Sequence, residues 1–508
     1  MKHAAWPSIA LATFAFAAPA HAATDLPDTV LSGVLERGDL GSYRELPFDV
    51  PEGTSKITVD IAWEGRENGT ILVTGLYDPE RLRGWGGGIK PHIVVANTFA
   101  SSSYLPGPIR AGRWRLSLSV ASIRPGQTSH YKMTVHYDRG PAAQVISPVP
   151  VNAAPGWYRG DLHVHTGQSD AACRSQSGRA IPCPVYFSLR QASDRALDFV
   201  VVTDHNVNSQ VPFLAELAPY FDRMLVIPGR EMTTQYGHYN LLGITDFVDF
   251  RLGAPGAADI NALFDASAET GALISVNHPE IPTGEDCLGC GWSAPNTDYS
   301  RVTSMEVANG GIAADNNGAF DDGKGSGTAY WEDLLSKGFH LTGVGGSDNH
   351  DPVDGHRGSS PVGGQSPIGT PTTVVHAQSL SQPDILKGIQ SGRVFIDVDG
   401  SHRGALLDMS ATSGKSEAVM GGTLERRPGG SVDALITVDG MKGNRVDLIV
   451  DGRHQTLSGG ESLASGQAAL QFRLPASARA RWFRADIRDQ SGKRLLIGNP
   501  IYIVAPRP

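Results

Sequence analysis

Between residues 24 and 140 the apolar positions recur at every second residue. Ile57, Val59, Ile61 and Trp63 alternate with Lys56, Thr58, Asp60 and Ala62. Trp114, Leu116, Leu118 and Val120 alternate with arginine and serine, and Tyr131, Met133, Val135 and Tyr137 repeat the pattern. A period of two puts every apolar side chain on one face of a strand, so these runs, parted by Gly/Pro turns, predict an antiparallel β-sandwich. No polar cluster there points to chemistry, and packing is the expected role.

A Pro/Ala-rich connector, 140–156, leads into a different pattern. From 157 to 400, apolar strands alternate with helical stretches. Residues 198–205 read as a buried strand running into polar residues, and 224–231, 272–278 and 341–348 repeat the design; helices are predicted over 186–197 and 259–270. Apolar strands whose C-terminal ends carry His, Glu or Asp predict a (β/α) barrel with a site at its top. An open doubly wound sheet would also put ligands at strand ends, but no G-x-G-x-x-G follows the first strand, so dinucleotide binding is not expected. Beyond 402 the alternation returns, with Val432, Ala434, Ile436 and Val438, then Val446, Leu448 and Val450, then Leu470, Phe472 and Leu474. A second small sandwich over 402–508 is expected, and no internal repeat is present.

A chain of 508 residues exceeds what one core usually supports, which agrees with several domains. Its net charge of −9, with no long basic run, argues against nucleic acid or an anionic membrane as partner. Met1-Lys2-His3, an apolar run through Leu11, Phe14, Phe16 and Ala18, and Ala20-His21-Ala22 form a secretory signal pattern. The apolar run is too short to span a bilayer, and no later segment qualifies. Residues 1–22 are therefore expected to be a signal peptide cleaved near Ala22, and the protein periplasmic or secreted. In that compartment the four cysteines favour disulfides, locally Cys173 with Cys183 and Cys287 with Cys290.

The candidate chemistry begins at Asp161-Leu-His163-Val-His165-Thr166. Two histidines one residue apart on a strand point the same way and can grip one ion. Asp170, Thr203-Asp204-His205, Glu231, His238, Asn277-His278 and Ser347-Asp348-Asn349-His350 follow, at or near predicted strand ends. So many ionisable groups are costly to bury together without cations, and imidazole and carboxylate suit Zn²⁺, Mn²⁺ or Fe²⁺. Nine candidate ligands exceed the needs of one ion and suit two or three. Gly-x-Ser-x-Gly is absent, so Ser347 reads as part of a ligand turn rather than as a nucleophile.

Asp161-x-His163-x-His165-Thr166, Thr203-Asp204-His205 and Ser347-Asp348-x-His350 resemble the metal motifs of PHP (polymerase and histidinol phosphatase) domains. Gly229-Arg-Glu-Met-Thr-Thr234, Gly237-His238-Tyr-Asn240 and Ile368-Gly-x-Pro-Thr-Thr373 further resemble the CehA/McbA branch, which includes carbaryl hydrolases. The resemblance spans roughly 157–400. It implies a distorted (β/α)₇ PHP barrel, here flanked by N-terminal (24–140) and C-terminal (402–508) β-sandwiches, and an α/β class overall. It also implies that His163, His165, Glu231 and Asp348 hold one ion, that Glu231 bridges to a second held by His238 and His278, and that Asp170, His205 and His350 complete the cluster. Many members have Asp where this chain has Asn206, and others have His where it has Asp170. Asp204 is expected to orient an imidazole from behind.

The expected function is hydrolysis of a small-molecule ester by a metal-bound hydroxide held by two to three divalent ions, with Glu231, Asp348 and Arg230 as catalytic residues. Arg230, and from loops Arg174 or Arg357, would clamp a phosphoester. Trp292, Tyr299, Phe320, Tyr330 and Trp331 would instead wall an aryl carbamate. Phosphoesters are favoured, with carbamate or carboxylic esters as the alternative; a non-catalytic metal- or glycan-binding envelope protein is a rival of another class. The long loops at 281–299, 310–327 and 351–367 are expected to shape the substrate. Asp315, Asp321 and Asp322 lack the spacing of a Ca²⁺ loop.

Overall fold

The computed structural model describes residues 28–88, 90–139, 146–147, 149–284, 289–311, 325–353, 365–457, 462–475 and 481–505. The expected signal peptide lies outside them, as do Cys287, Asp315, Phe320, Asp321, Asp322 and Arg357. Among the described residues, no helix is long and apolar enough to cross a membrane.

The alternation in the N-terminal region builds two four-stranded antiparallel sheets. One contains Thr29–Glu36, Thr128–Arg139, Thr54–Trp63 and His92–Ala96; the other contains Tyr43–Val50, Gly112–Ser122, Ile71–Tyr77 and Leu82–Gly86. Ile57, Val59, Met133 and Val135 from the first meet Leu72, Leu76, Leu116 and Leu118 from the second in one shared core. Each such buried side chain contributes roughly 1.5–3 kcal/mol.

In the central region we number strands from β1 (Gly156–Val164). Helix α1 (Val185–Asp194) leads to β2 (Phe199–Val202), parallel to β1, and α2 (Val211–Leu217) leads to β3 (Leu225–Thr234), parallel to β2. β4 (Gly237–Leu242) then returns antiparallel to β3, and β5 (Leu273–Val276), reached through α3 (Ile260–Ala268), is antiparallel to β4. β6 (Ser304–Asn309) and β7 (Thr342–Gly346), with α4 (Thr328–Ser336) between them, resume parallel pairing.

The last and first of these strands meet at one end, where a single parallel bridge joins Val164 to Asn349. Beyond that bridge the pairing does not show a complete (β/α)₇ barrel. β1 gives its N-terminal half to β8 (Thr372–Ala377), antiparallel, and only its last residue to the segment after β7. β9 (Val394–Asp397) then carries the same sheet onward into Arg494–Gly498, Trp482–Arg488 and Arg445–Val450. The β3–β4 hairpin also replaces one crossover helix, so strands far outnumber helices.

The extended part of this sheet is covered by a second one, built from Ser416–Val419, Leu406–Ser413, Val432–Asp439 and Ala468–Leu474. Met409, Ile436, Phe483, Ile487 and Leu496 share the core between them. The region beyond 402 is therefore joined to its neighbour by strand pairing. Buried charges add to that joint: Arg484 pairs with Asp486 and with Glu332 on α4, and Arg494 Nε lies 3.0 Å from Asp486 Oδ2.

Candidate metal centre

The C-terminal ends of β1, β2, β3, β5 and β7 converge, and buried carboxylates fix how they do so. Asp161 Oδ1 accepts from the backbone N–H groups of His163 (3.0 Å) and Ser347 (3.0 Å), and Oδ2 from that of Gly369 (2.6 Å). One carboxylate thus ties the His-x-His strand to two distant segments. Asp204 was expected to orient an imidazole, but its hydrogen bonds run elsewhere. It accepts from Thr166 N (2.8 Å), Thr166 Oγ1 (2.8 Å) and Ser169 Oγ (2.7 Å), and so closes the turn after His165. Three non-glycine residues here take positive φ, Asn206 (53°), His278 (26°) and Asp348 (52°), which bends the chain sharply at the strand ends. Such conformations cost about 1–3 kcal/mol each and cluster at functional sites.

At the middle of the convergence, four donor atoms approach one another. His163 Nε2 and His165 Nε2 are 3.1 Å apart. Asp348 Oδ1 lies 3.3 and 3.1 Å from them, and Glu231 Oε2 lies 3.3 and 3.4 Å away. A tetrahedral ion with bonds of about 2.0–2.1 Å has donor–donor edges of about 3.3 Å. All five distances fall close to that edge, and the chemistry of the set, two imidazoles and two carboxylates, suits a divalent transition metal.

Two further sets adjoin the first. Glu231 Oε1 lies 3.2 Å from His238 Nδ1 and 3.4 Å from His278 Nε2. Asp170 Oδ1 lies 3.4 Å from His350 Nε2 and 3.7 Å from His205 Nε2, and His165 completes this group. Asp170 is the open member, with 58% of its side chain exposed; His205 is 25% exposed, and the others are buried. The remote ring nitrogens have partners that aim the rings: His278 Nδ1 is 2.8 Å from Cys290 O and His350 Nδ1 is 2.8 Å from Asp348 O. All nine metal candidates read from the sequence therefore fall within these three sets.

Glu306, on β6, was not among them. It is 2% exposed, and Oε1 lies 3.2 Å from His163 Nδ1. The available signal was a carboxylate between Met305 and Val307 in a short apolar run ending at Gly310-Gly311.

The charges are strongly coupled. Burial alone would raise the Glu231 and Asp348 carboxyls, but the imidazoles around them, His163 foremost, hold both well below the usual carboxylate range. Burial would lower His163, yet Asp348, Glu231 and Glu306 carry it well above an ordinary imidazole. His205 is carried to about 9 against its burial, chiefly by Glu231. His165 falls to about 3, through burial and then its neighbours His350 and His205. The carboxylates hold positive charge in their midst.

Other sequence candidates are placed elsewhere. Arg230 is buried, and its guanidinium donates to Val207 O (2.9 Å) and Asp246 O (2.8 Å), on the opposite side of β3 from Glu231. It is a loop anchor rather than a substrate clamp. Arg174 is exposed and donates to Gly178 O within its own hairpin. Trp292, Tyr299 and Trp331 are buried in the core packed against α3 and α4, with Tyr330 partly buried beside them, so they do not form an open aromatic wall.

The expected Cys173–Cys183 disulfide is absent, and both residues are buried. Cys173 stands opposite Ile181 across the hairpin, which sets Cys183 at a diagonal rather than a directly opposed position. Cys290 is disulfide-bonded, and its expected partner Cys287 lies outside the described residues. One more acid–imidazole group, Asp397, Asp399 and His402, lies at the end of β9 and just after it. Arg159 already pairs with Asp397 there, so a cation is supplied by the chain itself.

No protein-family model and no curated protein matches the chain. Among solved structures it is similar to a two-domain protein containing a predicted PHP-like metal-dependent phosphoesterase from Bacteroides vulgatus. That likeness has 18% identity, covers 70% of this chain and 97% of that one, and has a TM-score of 0.36. A second is the periplasmic inhibitor of g-type lysozyme, PliG, from Salmonella Typhimurium, with 18% identity, 22% and 90% coverage and a TM-score of 0.13. Both likenesses are too distant to carry an argument about fold or activity.

Proposed function

We propose that the chain is a metal-dependent hydrolase of the PHP kind that cleaves a phosphomono- or phosphodiester outside the cytoplasm. The observation that carries this reading is Glu231, whose two oxygens face different imidazoles: Oε2 faces His163, His165 and the Nδ1 of His205, and Oε1 faces His238 and His278. A buried carboxylate shared in this way is suited to bridging two cations. His163, His165, Glu231 and Asp348 would hold one ion, Glu231, His238 and His278 a second, and Asp170, His205, His350 and His165 a third. Divalent cations held there would lower the pKa of a bound water and polarise the phosphoryl oxygens, which leaves the phosphorus open to attack.

The chain's own residues supply orientation and charge. Cys290 O and Asp348 O turn the rings of His278 and His350 so that Nε2 faces the centre. The buried members exclude bulk water, and exposed Asp170 marks the side from which a substrate enters. A transferring phosphoryl group carries more negative charge on its oxygens than a carbamate's tetrahedral intermediate, and cations held by these imidazoles and carboxylates would meet that charge without an arginine. Burial of Trp292, Tyr299 and Trp331 takes three of the five expected aromatic residues out of the wall an aryl carbamate would use. The export pattern ending at Ala22 supports the extracytoplasmic location.

The test is a comparison of kcat/KM for bis(4-nitrophenyl) phosphate and 4-nitrophenyl phosphate against 1-naphthyl N-methylcarbamate, with and without chelator. The expected result is chelator-sensitive turnover with a phosphoester preferred. A preference for the carbamate overturns the substrate class. Absence of turnover on any ester by metal-replete protein overturns the enzyme.

A further inference from the structure

The Glu306 carboxylate connects two of the proposed metal sets without belonging to the central one. Oε1 lies 3.2 Å from His163 Nδ1, while Oε2 accepts from the backbone N–H of His278 (3.1 Å) and from Asn309 Nδ2 (3.0 Å). Glu306, His163 and His278 stand close enough to form an ion site of their own. The directions of the rings argue otherwise. His163 turns Nε2 towards His165, Glu231 and Asp348, and His278 turns Nε2 towards Glu231. An imidazole that offers Nε2 to a metal keeps its proton on Nδ1, and in His163 that N–H points at Glu306.

Resting on the metal-centre reading above, we infer that Glu306 is a positioning residue, which fixes His163 in the tautomer that leaves Nε2 available and holds His278 in its bent backbone conformation. The close packing required is built in at Gly346. A Cβ there would come within 2.4 Å of both Glu306 Oε1 and His163 Cβ, so a bare residue lets the carboxylate and the ring meet. His278 sits at φ 26°, where no helix or strand would hold it, and the bond from its N–H to Glu306 Oε2 is one of the contacts that retain it. The same carboxylate thereby sets the ring of one ligand and the main chain of another.

Glu306→Gln makes the inference testable because it preserves shape and alters polarity. Glutamine has one acceptor oxygen. If that oxygen serves the His278 and Asn309 donors, the amide NH₂ faces His163 Nδ1, which must then accept, so the proton moves to Nε2 and blocks the ligand position.

The experiment is zinc titration of the full chain against a competing chelator. It is paired with melting of the metal-free protein and with ¹⁵N-histidine NMR of the zinc-loaded protein. The expected result for Glu306→Gln is an unchanged number of zinc equivalents, affinity weakened by roughly 10- to 100-fold, and a changed Nδ1 signal for His163. Glu306→Asp, which keeps the charge but shortens the reach, should weaken binding by less, and it serves if the glutamine variant does not fold. Unchanged affinity in a folded variant overturns the inference, and loss of one zinc equivalent overturns it in favour of Glu306 as a direct ligand. If the parent itself retains no zinc, the failure belongs to the metal-centre reading instead.

Discussion

Arg230 follows directly before Glu231 in the chain, and the pleat of the Leu225–Thr234 strand turns their side chains to opposite faces. The carboxylate reaches the imidazoles of the strand ends, while the guanidinium donates to the carbonyl oxygens of Val207 and Asp246. Burial pushes the Arg230 guanidinium down to about 10, and it stays charged at neutral pH. Arg230→Ala should therefore act on stability: each lost charged hydrogen bond costs about 1–3 kcal/mol, and the melting temperature should fall by several degrees. The ratio of phosphoesterase to carbamate activity should not change. A selective loss of phosphoesterase activity at an unchanged melting temperature would return Arg230 to the substrate.

Glu231→Gln keeps the volume of the side chain and removes the charge that two donor sets share. We expect the variant to fold, with an unaltered circular dichroism spectrum, to retain fewer ions, and to lose more than about 100-fold in kcat/KM. Activity within threefold of the parent contradicts the bridging role.

How far the site is legible in the sequence follows from which of its properties are local. The shared direction of His163 and His165 follows from strand periodicity, and the strand-end positions of His205, Glu231, His278 and Asp348 follow from where apolar runs stop. The direction of Arg230 was available by the same parity rule, since a strand neighbour of an inward Glu231 must face outward. Other features depend on distant partners. Nothing near Gly156–Val164 announces that Thr372–Ala377 pairs with its N-terminal half, and through that pairing the sheet runs on to Arg445–Val450. The placement of Cys173 opposite Ile181 depends on hairpin register, and a shift of two residues would set it opposite Cys183 instead.

His402 lies between Asp397 and Asp399, 3.0 and 3.1 Å from their carboxylate oxygens, and these partners raise its imidazole to about 9. A folded value above the unfolded one means that this contribution to stability is fully present below about pH 6.5 and is lost as pH rises through about 9. The melting-temperature gap between parent and His402→Gln should be largest near pH 6 and should close by about pH 10. A gap independent of pH would show that the ring acts through packing alone.

Cys173 and Cys183 should take an alkylating reagent when the protein is unfolded without reductant, and Cys290 should not. Peptide mass spectrometry reads this directly. Protection of the first two would mean that the Ala172–Arg174 and Ala180–Pro182 hairpin can shift its register to bring them together.

The central claim is that one buried cluster holds several cations, and metal content tests it most directly. Elemental analysis of the full-length protein, prepared without chelator and assayed for activity on the same sample, should find two to three equivalents of Zn, Mn or Fe per chain. Turnover should rise and fall with that content. Active protein with one equivalent or fewer would contradict the account.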